Sequence, residues 1–496
     1  MGSLRGAASG VVAAVSGVAA GNLLAAATSP ATAPVTVMGS QIIDWTPTPV
    51  KEWAVATFGT ADKPILLASI AAGALAVAAL AGLLAHHRLI LGAAVFGAMA
   101  ALVAGVAATR PTGTLADAVP STVTGLVAIA TLTAFARSPR PSTAEGPSRR
   151  LVLTQALVLL AAAALQASAS VVTRRRTMPA DIELPSAADV PRRLPAGLKV
   201  KGITPFRTSN QDFYRVDTRL SLPTVDVETW RLRVDGDVRQ PISLTFDDLA
   251  AMDLIERDIT LTCVSNDVGG RYVGGTRWLG ARLTDVLDRA GIDATNADQI
   301  LSTDVEGMTI STPLTVATDG RDSLIAIGMN GEPLPAAHGF PARLIVPGLY
   351  GFVGATKWIT RMTLTTYAAQ DAYWTKRGWA TDAPIKPSSR IDTPRPFEDV
   401  GAGTVTVGGI AWAQQEGGVA AVEVSVDDGP WEPATLGPSG GQDYWRQWYL
   451  KWQATPGRHT LAVRAITGRG RTQSANRARP FPDGSSGIQR LSLTVT

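Results

Sequence analysis

Hydrophobic positions follow two regimes along this chain. In the first third they run in long blocks: 66–85, 89–109, 118–136 and 151–173 contain no Asp, Glu, Lys or Arg. Each is close to the ~20 residues that a helix needs to cross a bilayer core. A weaker block, about 10–28, is rich in Ala and Gly. The pattern predicts an α-helical membrane region over 1–173 with about five spans. A cleaved signal peptide would explain only the first block. A transporter would carry charges inside its spans, and the four clearest hold none.

Beyond residue 173 the blocks shorten. Residues 174–200, rich in Pro, Ala and Arg, read as a linker, and 201–370 reads as a mixed α+β domain. There 230–234 alternates like a strand, 344–348 is a short apolar strand, and 246–252 and 283–290 have helical spacing. Thr245 and Thr284 stand where each helix would be capped. The Pro-rich stretch 371–396 reads as a connecting segment. From 397 to 496 short alternating strands near 405–407, 422–426, 448–452, 461–465 and 491–495 are separated by turns such as Asp427-Asp428-Gly429. That spacing predicts an immunoglobulin-like β-sandwich. Trp445, Trp448 and Trp452 read as its core or a dimer surface.

Charge refines the topology. Of 45 basic and 41 acidic residues, nine basic and five acidic fall before residue 173, so the remainder is neutral. The high pI therefore comes from the membrane region's loops, and nucleic-acid binding has no support. The loop with Arg137, Arg140, Arg149 and Arg150 is the most basic and reads as cytoplasmic. Everything after 173 then lies outside the cytoplasmic membrane, although Arg174, Arg175 and Arg176 run against the positive-inside trend. Ser148-Arg149-Arg150-Leu151-Val152-Leu153 is similar to a twin-arginine export signal placed internally.

Cys263 is the only cysteine. An intramolecular disulfide is thus excluded, as is a four-thiolate metal site built by this chain alone. An inert thiol, a nucleophile, or one soft ligand to a metal otherwise held by a cofactor remain.

Several motifs in order resemble the sulfite-oxidase family of molybdopterin enzymes, from about residue 210 to the C-terminus. Asn210-Gln211-Asp212-Phe213-Tyr214-Arg215 resembles the segment opening its cofactor pocket. Thr262-Cys263-Val264-Ser265-Asn266 is similar to its metal-cysteine turn, and Trp278 through Leu287 to the helix that follows it. His338-Gly339-Phe340-Pro341-Ala342-Arg343, and Gly348 through Ala355-Thr356-Lys357-Trp358, resemble its pterin-phosphate clamp. The resemblance implies a molybdenum-molybdopterin cofactor with Cys263 as metal ligand. It implies cofactor contacts from Asn210, Tyr214, Arg215, Asp304, His338, Arg343, Ala355, Thr356 and Lys357, and a C-terminal domain that forms a homodimer.

Two departures bear on the substrate. The family's cysteine turn continues Asn-Arg-Arg, whereas Asp267 and Val268 follow Asn266 here. The family's substrate tyrosine precedes a Gly-aromatic pair, whereas Lys376-Arg377-Gly378-Trp379 stands here. Lys376, Arg377 and Lys386 could rebuild a positive site. A bacterial branch of the family that reduces S-oxides also lacks the arginine cluster. The expected function is two-electron oxygen-atom transfer on a small oxo substrate, by sulfite-like oxidation or S- or N-oxide reduction. The alternative is a non-catalytic binding or assembly protein of the same fold. His86 and His87 are adjacent in a loop, so no haem is expected between the spans. A separate electron-transfer partner, a cytochrome or a quinone-linked protein, is implied.

Overall fold

The computed structural model describes residues 2–58, 61–137, 149–177 and 182–496. Two compact units form, Met1–Met178 with Asp217–Thr224, and Pro179–Val216 with Val225–Thr496. Arg140 and Ser148 of the basic loop lie outside the described residues, so the start of the twin-arginine-like run does too.

The first unit holds helices α1 (Gly2–Ala27), α2 (Pro34–Trp45), α3 (Thr48–Phe58), α4 (Asp62–His87), α5 (Leu89–Ala108), α6 (Val119–Arg137) and α7 (Arg149–Thr177). Stretches within α1, α4, α5 and α7, and one from Leu115 to Arg137 that includes α6, are long and apolar enough to cross a membrane. The weakest hydrophobic block became the central helix, because α1 packs against α4, α6 and α7. Its glycines let backbones meet: a Cβ on Gly10 would lie 2.0 Å from Ala78 O, and one on Gly17 2.4 Å from Thr124 O. Small residues at four-residue spacing suit such an interface, where large apolar ones do not fit. Helices α2 and α3 were not expected. Arg176 accounts for part of the basic run that broke the charge trend, since it donates to Ala26 O and Thr28 O at the end of α1 (3.1 and 3.0 Å).

The second unit contains four sheets. One orders Ile242–Leu244, Leu232–Gly236, Ile359–Thr365, Gln299–Asp304 and Thr309–Pro313. Another runs Leu254–Thr262, Val273–Arg282, Leu324–Met329 and Glu332–Pro333, with Arg343–Ile345 also paired to Leu324–Met329. Thr245 caps Phe246–Ala250 as expected, accepting from Asp248 N. Thr284 does not cap Leu283–Ala290, which begins one residue earlier behind Arg282, and Trp278–Arg282, expected to belong to that helix, lies instead in the strand Val273–Arg282. The strand expected over 344–348 ends at Ile345, before Pro347 and a Gly348 whose φ is +80°.

Two further sheets share a core that includes Val407, Trp448, Val424 and Leu493, which makes a β-sandwich. One of its strands, Ser388–Thr393, falls inside the stretch expected to be a connector. Pro387 and Pro394 bracket that strand without entering it, which is where proline is tolerated. Trp445 and Trp448 are buried, and Trp445 Nε1 donates to Phe206 O at 2.8 Å.

Candidate active site

Cys263 lies in the loop of an antiparallel hairpin, just past the Thr262–Val273 pair. The hairpin hydrogen bonding extends one step further, Cys263 N–H donating to Tyr272 O at 2.9 Å. Buried Asn266 closes the loop by accepting from Tyr272 N (2.8 Å), and Ser485 Oγ donates to Asn266 O (2.6 Å). The half-buried thiol is pushed up by burial, while the Ser265 N–H and Oγ–H and the Lys357 ammonium favour the thiolate. The side-chain oxygen of Asn266 fixes the loop, and Ser265 supplies the donors to the sulfur.

The clamp residues converge through two neighbouring backbones. Leu344 N–H donates to Thr356 O (2.9 Å) and Val346 N–H to Gly354 O (2.8 Å), which sets Arg343 beside Thr356 and Lys357. The turn at Gly339 fits between them. Its φ is +114°, and a Cβ there would lie 3.1 Å from Arg343 Cβ and 3.2 Å from Lys357 Cα. Glycine is required on both counts.

His338 is buried, and its Nε2 lies 2.9 Å from Asn210 O. Burial drags its pKa down to about 4, with Arg343, Lys357 and Arg215 adding to the effect against the Asn210 carbonyl. The ring is therefore neutral at pH 7. A carbonyl can only accept, so the proton sits on Nε2 and Nδ1 is an acceptor. His338 was expected as a cofactor contact, and this tautomer suits an N–H of the pterin.

Arg343 is buried with its guanidinium 5.0 Å from the Trp278 ring centre. Burial pulls it down to about 10, and Tyr214 opposes. Nη1 donates to His338 O at 3.0 Å, but no carboxylate among the described residues pairs with it. Arg343 Nε and Thr356 Oγ1 are buried without a hydrogen-bond partner. A buried cation and unpaired polar atoms fit a multiply charged acceptor such as the pterin phosphate. Tyr214 stacks on Phe213 (5.1 Å), which meets His338 edge-on (5.4 Å), and Ala355 packs in the same apolar cluster. Burial raises the Tyr214 hydroxyl, and the nearby Cys263 adds to this.

The structure thus gathers Asn210, Tyr214, Arg215, Cys263, His338, Arg343, Ala355, Thr356 and Lys357. Asn210 contributes differently from expectation. Its amide is engaged by Met329 O, Glu332 and Asn330, and its main-chain carbonyl holds His338. Asp304 is engaged locally, its Oδ1 accepting from Glu306 N and Met308 N in its own turn. Lys376 is exposed, and Arg377 stacks 3.5 Å from the Tyr373 ring centre while donating to Tyr373 O. Lys386 is engaged by Asp483 (3.0 Å) and Gly484 O (2.7 Å). Ser265, Trp278 and Arg390 went unrecognised. Ser265 and Trp278 stood within quoted motifs, but Arg390 reaches Gly270 O from 120 residues away (2.8 Å), with no local signal.

Residues 219–374 match the family model described as "Oxidoreductase molybdopterin binding domain". The chain is 33% identical over 337 residues to mitochondrial sulfite oxidase of Homo sapiens, covering 56% of this chain and 61% of that one. It is 29% identical to sulfite oxidase of Gallus gallus, covering 54% and 71%. Nitrate reductase of Hordeum vulgare is 32% identical over 180 residues, covering 31% and 20%. The chain thus spans about three fifths of the first of these relatives. Among solved structures, the sulfane dehydrogenase SoxCD from Paracoccus pantotrophus shares the fold at a TM-score of 0.51 and 20% identity, covering 62% of this chain and 92% of that one.

Proposed function

We propose that this chain, which belongs to the sulfite oxidase family of molybdenum-dependent, molybdopterin-binding oxidoreductases, is a membrane-anchored enzyme acting outside the cytoplasm. Its reaction is two-electron oxygen-atom transfer on a small oxo substrate, by oxidation of a sulfite-like anion or reduction of an S- or N-oxide. When bound, molybdenum held by a molybdopterin dithiolene supplies that chemistry. Cys263 is the protein's metal ligand; burial raises its thiol, Ser265 and Lys357 oppose that rise, and deprotonation would be completed on metal binding. Arg343 and Lys357 hold the phosphate, the first as a planar fork and the second as a point charge. Neutral His338 accepts from the pterin edge, while Tyr214, Arg215, Ala355 and Thr356 close the pocket. Asp304 positions a turn and is not a contact.

The observation that carries this reading is the buried Arg343, which no carboxylate among the described residues pairs with and which adjoins an unpartnered Thr356 hydroxyl. Of the cations expected to rebuild the positive site, Lys386 is held by Asp483. Lys376 and Arg377 remain the substrate-side candidates. The five long apolar helices support a multi-pass anchor, the C-terminal sandwich an immunoglobulin-like dimerisation module, and the run at Arg149-Arg150 twin-arginine export. Electrons pass to or from a separate cytochrome or quinone-linked partner.

The test uses the full chain, solubilised from a molybdate-replete host. Molybdenum near one atom per chain is expected, with dye-coupled turnover that Cys263→Ser abolishes while pterin is retained. Wild type without metal would leave the alternative, a non-catalytic binding or assembly protein.

A further inference from the structure

The second unit is crossed by an extended strap, residues 193–204, which lies over the outer face of one sandwich sheet. A groove of about 1040 Å³ opens beside it, between Leu198–Gly202, Asp392–Glu398, Thr406, Tyr449 and Lys451. A second groove of about 600 Å³ continues on the other side, past Arg193 and Arg207. Seven cations line the pair; Arg277 is engaged by Asp258 and Glu256, and the other six are Arg193, Lys199, Lys201, Arg207, Arg395 and Lys451. All six are exposed, and none of their side chains has a hydrogen-bond or ion-pair partner among the described residues. Of the acids of the first groove, Asp392 is paired with Arg390 (2.6 Å), and Glu398 accepts from the Arg395 main-chain N–H (2.6 Å) and stays as one negative charge among the cations. The chain beyond residue 173 is neutral overall, so this face concentrates uncompensated positive charge.

Phe397 adds a second, independent observation. It is 79% exposed and adopts a φ of +61°. A bulky residue in that region is strained, and an exposed ring gains nothing from burial. The fold derives no packing from either feature, whereas an aromatic ring amid cations is common composition for a protein interface.

The groove is also joined to the cysteine turn. Arg390, which is buried, donates from Nε to Asp392 (2.6 Å), from Nη2 to Thr204 Oγ1 (2.6 Å) and from Nη1 to Gly270 O (2.8 Å). Asp392 and Thr204 are groove walls, and Gly270 belongs to the Cys263 loop. One side chain therefore separates the basic groove from the metal-ligand turn.

We infer that this groove is the docking surface for an acidic electron-transfer protein, with Phe397 as its apolar anchor and the six cations as its steering field. The inference rests on the reading that electrons are exchanged with a separate protein. Complementary charge of this kind raises encounter rates by about 10- to 1000-fold at low salt.

The test measures binding without turnover. Immobilised full-length protein in detergent is titrated with succinylated cytochrome c, whose lysines have become carboxylates, and with native basic cytochrome c. The ionic strength is ~0.01 M, where screening extends over ~30 Å. Wild type should bind the succinylated form and not the native one. Lys199→Glu with Lys201→Glu should weaken binding at least tenfold, and Phe397→Ser at least threefold. Arg458→Glu with Arg469→Glu, which changes net charge equally elsewhere, should change it less than twofold. Equal weakening by the two double variants, or tighter binding of single-stranded DNA or anionic vesicles than of succinylated cytochrome c, would overturn the docking surface. Dye-coupled turnover is measured in parallel and should be the same in all variants. Its absence from wild type would overturn the enzymatic reading separately, since the binding result stands without it.

Discussion

The imidazole of His338 donates from Nε2 to the main-chain carbonyl of Asn210, 2.9 Å away. That bond fixes a neutral tautomer inside a ring of cations, Arg343, Lys357 and Arg215. A protonated ring would face those charges from within the core. The segment from Asn210 to Tyr214 is thus tied to the clamp through one imidazole.

Stability should accordingly depend on pH through His338. Its pKa is about 4 when folded and near 6.5 when unfolded. Between these values the unfolded chain binds more protons, so this contribution is fully present above pH ~6.5 and is lost as pH falls towards ~4. The gap corresponds to about 3 kcal/mol for this buried group. Other groups titrate in the same window, including Asp443, which burial raises to about 6. The comparison is therefore between wild type and His338→Gln. The wild type's lead in thermal unfolding temperature at pH 7.5 should shrink at pH 4.5. An unchanged lead would mean that His338 does not titrate as proposed.

Arg343→Met should separate stability from cofactor retention. Arg343 is a buried cation without a carboxylate, and removing such a charge stabilises a fold by about 2 kcal/mol. Cofactor-free protein carrying the substitution should melt higher than cofactor-free wild type. Pterin recovered from the replete host should fall more than tenfold. A drop in both would make Arg343 a structural residue.

How much of this was legible in the sequence depended on whether a signal was local. Cys263 was the only cysteine, and His338 and Arg343 lay five residues apart in a recognisable run, so each could be read from its neighbours. The central helix was underrated because Gly10 and Gly17 lower its hydropathy, the same smallness that lets it pack against Ala78 and Thr124. The side chains of Asn210 and Asp304 looked available, but hydrogen bonds to Asn330 and to Met308 N had already claimed them. Arg390 could not be assigned, because its bond to Gly270 O joins segments that only the tertiary fold brings together.

Gly339→Ala should disturb the clamp directly. A φ of +114° with a Cβ 3.1 Å from Arg343 Cβ predicts a loss of about 1–3 kcal/mol, measured by denaturant unfolding. Arg343 and Lys357 must also part to admit the methyl group, so molybdenum content should fall with stability. Gly320, also at positive φ but with open space around it, is the control. Gly320→Ala carries the backbone strain alone and should leave metal content unchanged.

The thiol of Cys263 offers a readout that needs no bound metal. Burial raises its pKa, and the Ser265 N–H, the Ser265 Oγ–H and Lys357 oppose that rise. Ser265→Ala removes one donor that favours the thiolate, so the thiol pKa should climb further. The thiolate is the reactive form, so a higher pKa means slower alkylation at any pH below it. In protein from a host unable to make the cofactor, the pH profile of iodoacetamide labelling should move to higher pH. Lys357→Met should move it the same way by removing a positive charge. Ser485→Ala should leave it in place, since Ser485 bonds Asn266 O and not the sulfur. A profile that shifts with Ser485 but not with Ser265 would show that loop rigidity, and not donation to the sulfur, governs the thiol.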